Sequence, residues 1–146
     1  MSKTISHPDY QSLAELRRQI RGFLHSSEQA ARVAGLEPRQ HQLLLAIKGL
    51  PKGVRPRISE LADRLQIQHH SMVELINRLE TGGYVRRKRA ANDRREVLLA
   101  LTSKGEKVLQ GLTLYHREEL RKTGPALLTA LTRVIGSSHS PVKRRK

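Results

Sequence analysis

The chain has 146 residues, with 28 lysines and arginines against 13 aspartates and glutamates, and a formal net charge of +15 before any histidine is counted. That length fits one compact domain, or one domain with extensions. The apolar content of 37%, with aromatics at only 3%, calls for an aliphatic core. The absence of cysteine excludes disulfides, Cys-ligated zinc, iron–sulfur sites and thiol chemistry. The polar stretch Met1 to Tyr10 shows no secretory signal. The longest apolar runs, Leu43 to Ile47 and Val97 to Leu101, have five residues each, far below the ~20 needed to span a bilayer. A cytoplasmic protein with no membrane partner is expected. Its excess of cations attracts polyanions, nucleic acid above all.

In chain order, Tyr10, Leu13, Leu16, Ile20 and Phe23/Leu24 recur at three- and four-residue steps and predict a helix from Tyr10 to about Ala34. Gly35 is its stop. Pro38 suits the first turn of a second helix that turns Leu43, Leu44 and Ile47 inward, with Glu37 as a poor N-cap. Gly49 to Gly53 ends that helix. Pro56-Arg57-Ile58 allows only a short extended piece. Ser59 is then read as the cap of a helix through about Leu65. After a break near Gln66 to Gln68, a fourth helix runs from about His69 to Thr81 and stops at Gly82-Gly83. Tyr84 to Arg89 and Glu96 to Leu101 read as two strands of a hairpin, with a tip at Ala90 to Asp93. Ser103-x-x-Glu106 is read as a capping box opening a fifth helix. A break at Gly124-Pro125 separates it from a sixth. The tail 137–146 ends in four cations, Lys143 to Lys146, has little to bury and is expected to be disordered.

Leu61, Ala62, Leu65, Ile67, Met72, Leu75 or Ile76, and Leu79 fall where two crossed helices would pack, and the small Ala62 permits their close approach. The second of the pair then exposes Gln68, His69, His70, Ser71, Glu74, Asn77 and Arg78. These side chains suit base edges or phosphates when a helix lies in a major groove. A plain helical hairpin with a solvated face is the competing explanation. The hairpin after it carries Arg86, Arg87, Lys88, Arg89, Arg94 and Arg95 against Asp93 and Glu96. Cations this dense repel one another, and phosphates beside a groove would relieve that repulsion. Asp93 is either the residue that holds an arginine in place or an ordinary turn aspartate.

The run Ile58-Ser-Glu-Leu-Ala-Asp-Arg-Leu65, then Leu75-Ile-Asn-Arg-Leu-Glu80, Gly83-Tyr-Val-Arg-Arg87, Asn92-Asp-Arg-Arg95 and Leu101-Thr-Ser-Lys-Gly105 resembles the MarR family of transcription regulators. The clear match covers about Leu36 to Leu112. The resemblance implies a mainly α fold with a small β-hairpin wing: a winged helix-turn-helix flanked by N- and C-terminal dimerisation helices. It divides the chain into an N-terminal dimerisation helix (1–35), a DNA-binding domain (36–102), C-terminal dimerisation helices (103–136) and a basic tail (137–146). It places Gln68 to Ser71, Glu74 and Arg78 on a recognition helix, and Asp93 with Arg95 on the wing. Either Arg94 or Arg95 would enter the minor groove. Glu74 departs from the basic or neutral residue often found there, and would either read a cytosine amino group or repel wrong sites.

Leu13, Leu16, Ile20, Phe23, Leu127, Leu128, Leu131 and Ile135 exceed what a winged-helix domain of this size covers by itself. They would form either an intramolecular bundle or, the preferred reading, an intertwined homodimer on pseudo-palindromic double-stranded DNA. The expected function is sequence-specific, ligand-responsive repression. A small-molecule effector is a partner implied by the resemblance alone, and thiol-based sensing is excluded. A zinc site from His25, His41 and His116 is not favoured, because no His-x-x-x-His pair or clear carboxylate spacing accompanies them, and no cofactor is expected. No nucleophile–base pair, carboxylate pair or phosphate-cradling glycine loop points to an enzyme. Two rival readings are an architectural, largely nonspecific DNA-binding protein and an RNA-associated basic protein. The second would call for stacking aromatics that three tyrosines and one phenylalanine do not supply.

Overall fold

A computed structural model describes residues 4–136; the tail 137–146 and the side chain of Arg94 lie outside the described residues. Five helices and one hairpin follow in order: α1 (His7–Val33), α2 (Pro38–Lys48), α3 (Ile58–Leu65), α4 (His69–Thr81), β1 (Val85–Ala90), β2 (Asp93–Leu101) and α5 (Ser103–Ile135). They make two compact units. One spans Glu28 to Tyr115, and the other combines the chain up to Ser27 with the chain from His116. No helix among the described residues is long and apolar enough to cross a membrane.

The Glu28–Tyr115 unit has an aliphatic core. Leu36, Leu43, Leu44, Leu61, Met72, Ile76, Leu79, Val85 and Leu99 are almost wholly removed from water. Each such side chain contributes roughly 1.5–3 kcal/mol relative to exposure. Leu75 and Ile76 are both buried, so α4 offers a wide apolar stripe rather than a choice between them. His41 of α2 is also buried.

Helix ends follow local chemistry, with three shifts from the expected positions. Helix α1 begins three residues earlier than its apolar period, because Asp9 Oδ2 accepts hydrogen bonds from both the backbone N–H and the hydroxyl of Ser6, each at 2.8 Å. Those bonds, the backbone one first, hold the Asp9 carboxyl below its ordinary range. Glu37 does precede α2, and Gln40 Oε1 returns to accept from its N–H at 2.8 Å. Ser59 is not a cap. Arg57 is, because its backbone is extended and forms an isolated bridge with Leu98 before its carbonyl accepts the Leu61 N–H. At α5 the cap is also early, by one residue. Thr102 Oγ1 accepts from the Gly105 N–H at 3.1 Å, while Glu106 pairs with Lys48 of α2.

The expected break at Gly124-Pro125 is absent, and α5 is one helix of 33 residues with Pro125 inside it. Two features lower the usual cost. Gly124 has no Cβ to collide with the proline ring. Pro125 and Arg121 lie on the exposed side, so the Arg121 carbonyl that the proline cannot serve is open to solvent. The stripe then resumes, and Ala130 is buried.

Strands β1 and β2 pair antiparallel, from Val85 with Leu101 to Arg89 with Val97. The register then slips, so that Ala90 pairs with Asp93. The turn is tighter than the expected tip, and the extra residues form a bulge at Arg94 to Glu96 instead. Bulges of this kind re-aim side chains near functional edges.

Candidate nucleic-acid interface

The α3–α4 corner is made by a residue in the left-handed region. Gln66 sits at φ 53, which lets the Ile67 N–H reach the Ala62 carbonyl at 3.0 Å. Ala62 is buried at this crossing, as its size demanded. The four buried positions of α4 fix its roll, and the roll decides what it shows. Gln68, His69, His70, Glu74, Asn77 and Arg78 are exposed, and Ser71 is half-buried. The first of these sit at the helix N-terminus, whose free N–H groups and positive dipole end suit a phosphate.

The far end of α4 is fastened to the hairpin. Gly83 at φ +79 closes it, and the Tyr84 N–H reaches the Leu79 carbonyl at 2.9 Å. Arg87 of β1 then reaches back to α4. It donates to Glu80 Oε1 at 2.6 Å and to Asn77 Oδ1 at 2.7 Å. Two of the residues expected to meet DNA, Arg87 and Asn77, therefore meet each other, and no local pattern signals the pairing. Arg86, Lys88, Arg89 and Arg95 are exposed. Asp93 Oδ1 accepts the Arg95 N–H at 2.9 Å, so the carboxylate shapes the turn through backbone.

Residues outside the expected set also build the hairpin. Glu96 accepts from Arg55 Nη1 at 2.9 Å and from Arg57 Nε. The Leu99 N–H donates to the Pro56 carbonyl at 3.0 Å. The short extended piece before α3 is thus tied to the second strand by backbone and by charge. The one signal in the sequence was Glu96 itself, a carboxylate in an otherwise cationic stretch.

A cleft of about 590 Å³ lies beside α4, lined by its Ser71, Glu74, Leu75 and Arg78 together with Glu28 and Arg32 of α1 and the start of α2. Its walls mix carboxylates and guanidiniums.

In the other unit, the expected dimerisation residues divide. Leu16, Phe23 and Leu127 are half-buried within the chain. Phe23 packs edge-on against His116, with centroids 6.2 Å apart. His116 Nε2 lies 2.7 Å from Ser27 Oγ. Leu13, Ile20, Leu128, Leu131 and Ile135 are exposed, Leu128 at 64%. Among the described residues, no group of three or more histidines and carboxylates gathers as metal ligands would.

Residues 34–96 match the model of the MarR family. The HTH-type transcriptional regulator YfiV of Bacillus subtilis is 32% identical over 65 residues, which cover 44% of this chain and 39% of YfiV. The matched segment thus spans about two fifths of that relative. The crystal structure of AbsC, a MarR family transcriptional regulator from Streptomyces coelicolor, superposes with a TM-score of 0.72 at 22% identity, over 89% of this chain and 90% of that one. The regulator MOSR of M. tuberculosis, solved in complex with DNA, gives a TM-score of 0.56 at 27% identity over 74% and 77% of the two chains.

Proposed function

We infer that this chain is a winged helix-turn-helix transcriptional regulator of the MarR kind, as its match to that family over residues 34–96 supports, and that it binds double-stranded DNA as a homodimer and represses transcription by occupying a pseudo-palindromic promoter site. The observation that carries this reading is the rigid pairing of α4 with a cationic hairpin. Four buried side chains set the roll of α4, and Arg87 fastens it to β1. A helix held in this way suits a major groove, with the wing on the flanking minor groove. In this assignment Gln68 to Ser71, Glu74 and Arg78 face base edges or phosphates. Arg86, Lys88, Arg89, Arg94 and Arg95 serve the backbone and the minor groove.

The homodimer is supported by the apolar residues that α1 and α5 leave exposed, Leu13, Ile20, Leu128, Leu131 and Ile135. Two copies would bring two recognition helices to successive turns of one duplex face. Ligand control is supported by the cleft beside α4, since a polar molecule seated there would touch Ser71, Glu74 and Arg78 directly. It would release DNA to the extent that it favours a helix placement unsuited to the groove.

The test is base preference. Arg78→Ala and Gln68→Ala should each relax selection at one position of the half-site, by about 1–3 kcal/mol for each base edge no longer read. Selection from a random duplex library before and after substitution reads this directly. Unchanged preference in both variants would remove α4 from the groove and favour the nonspecific architectural reading.

Arg87 should behave differently from its cationic neighbours. Because it is engaged with Glu80 and Asn77, Arg87→Ala should weaken DNA binding without flattening the dependence of affinity on salt. The exchange Arg87→Glu with Glu80→Arg should restore part of the loss. A flattened salt dependence in Arg87→Ala would show that the side chain leaves α4 to meet phosphate.

A further inference from the structure

Arg57 bridges Leu98 from one side, and Lys88 pairs with Leu98 from the other. Residues paired across strands point to the same face, so Arg57, Leu98 and Lys88 share one. Arg86, opposite Ala100, is two positions from Lys88 and lies on that face too. The other face is turned inward, with Val85 and Leu99 buried and Arg87 bonded to α4. Arg55 joins the outer face through Glu96, which lies in the bulge near the hairpin tip. The outer face thus carries Arg57, Lys88 and Arg86, and Arg55 and Arg57 share the Glu96 carboxylate. Arg86 and Lys88 make no ion pair among the described residues.

The two arginines are built in rather than loosely solvated. The Glu96 side chain is only 13% exposed, and each of its oxygens takes one guanidinium. Arg55 spends a single Nη1 donor and Arg57 only its Nε. A guanidinium has five N–H donors in a planar fork, so both retain unused donors. The Arg55 and Arg57 side chains remain 44% and 54% exposed. One carboxylate holding two half-exposed arginines leaves an oriented positive charge, the arrangement that meets a phosphodiester with little ordering cost.

We propose that Arg55 and Arg57, fastened side by side on Glu96, form a second phosphate-binding site for duplex DNA beside the wing, reached from the α2–α3 connection. The proposal rests on the duplex-DNA reading above and adds to it a backbone anchor that carries no sequence information. Its role is to position the wing along the duplex.

The test is the slope of log affinity against log salt concentration, for a target duplex and a scrambled duplex. Two variants are compared with the parent: Arg55→Gln with Arg57→Gln, and the same pair combined with Glu96→Gln. The triple variant removes the carboxylate that the double variant would orphan, so it reports on binding with no unpaired charge left behind. Both should lower the slope by about 1 for each phosphate that is no longer neutralised. Both should weaken target and scrambled duplex by the same factor and leave base preference intact. A parental slope in a triple variant that melts at the parental temperature would overturn the proposal and leave the arginines as loop fasteners. A change in base preference with no change in slope would overturn it as well. Failure of the underlying reading has a different signature: Arg86→Gln, Lys88→Gln, Gln68→Ala and Arg78→Ala would then alter neither slope nor preference.

Discussion

Replacing Gly105 by alanine is expected to destabilise the fold by about 3 kcal/mol, the upper end of the usual cost of overpacking. The sign is the informative part, because alanine normally stabilises a helix interior by about 1 kcal/mol over glycine. Here a Cβ would run into the backbone carbonyl of Tyr84, well inside van der Waals contact. That carbonyl cannot yield. It accepts the Thr102 N–H at 3.0 Å, Thr102 Oγ1 in turn donates to the Gly83 carbonyl at 2.5 Å, and Lys104 Nζ donates to the Gly82 carbonyl at 2.7 Å. The Lys104 ammonium also lies 4.5 Å from the centroid of the Tyr84 ring. The stretch Leu101-Thr-Ser-Lys-Gly105 is therefore the lock that seats the start of α5 on the α4–β1 corner, and Gly105 is its point of closest approach. Gly111 supplies the control. It lies on the same helix with nothing within 4 Å of an added Cβ, so Gly111→Ala should stabilise by up to about 1 kcal/mol. Chemical denaturation of both variants checks the pair. Equal effects of the same sign would mean that the corner has more room than the geometry shows.

Leu128→Glu combined with Ile135→Glu is expected to yield a folded monomer whose DNA affinity is lower by about a hundredfold or more. Both side chains are largely exposed in the single chain, at 64% and 53%, so their replacement does not open the monomer core. A carboxylate at each would bury unpaired charge in a dimer contact, which is strongly unfavourable. Splitting the proposed dimer would remove the linkage between the two half-sites, and such linkage is worth about 10²–10⁴ in avidity. Light scattering reads the mass, circular dichroism the fold and anisotropy the affinity. A dimer of parental mass in this variant would place the self-contact elsewhere, and a folded monomer with undiminished affinity would remove the need for a dimer on DNA.

The parts of the fold that the sequence disclosed are those where one local signal had no competitor. Helix α4 begins and ends where expected because its four buried apolar positions fix its span and a double glycine ends it, although its N-cap Gln68 makes no side-chain cap bond. The wing was legible from β-forming residues on either side of a polar turn. The misplaced starts of α3 and α5 share one cause. At Ser59 and Ser103 a good capping residue stood close behind another residue whose tertiary contacts took the role. Arg57 is claimed by β2 and Thr102 by the α4–β1 corner. Both contacts join segments far apart in sequence, and periodicity carries no information about them. Pro125 does not stop α5, because Gly124 before it has no Cβ to crowd the ring and the unpaired Arg121 carbonyl lies on the exposed side of the helix. The candidate interface follows the same rule. Exposure along α4 could be read from its apolar stripe, whereas the Arg87–Glu80–Asn77 bond set and the Arg55–Glu96–Arg57 clamp depend on which charges the fold brings together.

The most direct measurement is fluorescence anisotropy of the full chain on two duplexes of equal length, one from upstream of its own coding sequence and one scrambled, at two salt concentrations. The expected result is a preference of about a thousandfold or more for the upstream duplex that persists at the higher salt. Near-equal binding to both that collapses as salt rises would contradict a sequence-reading α4 and leave charge alone as the basis of binding.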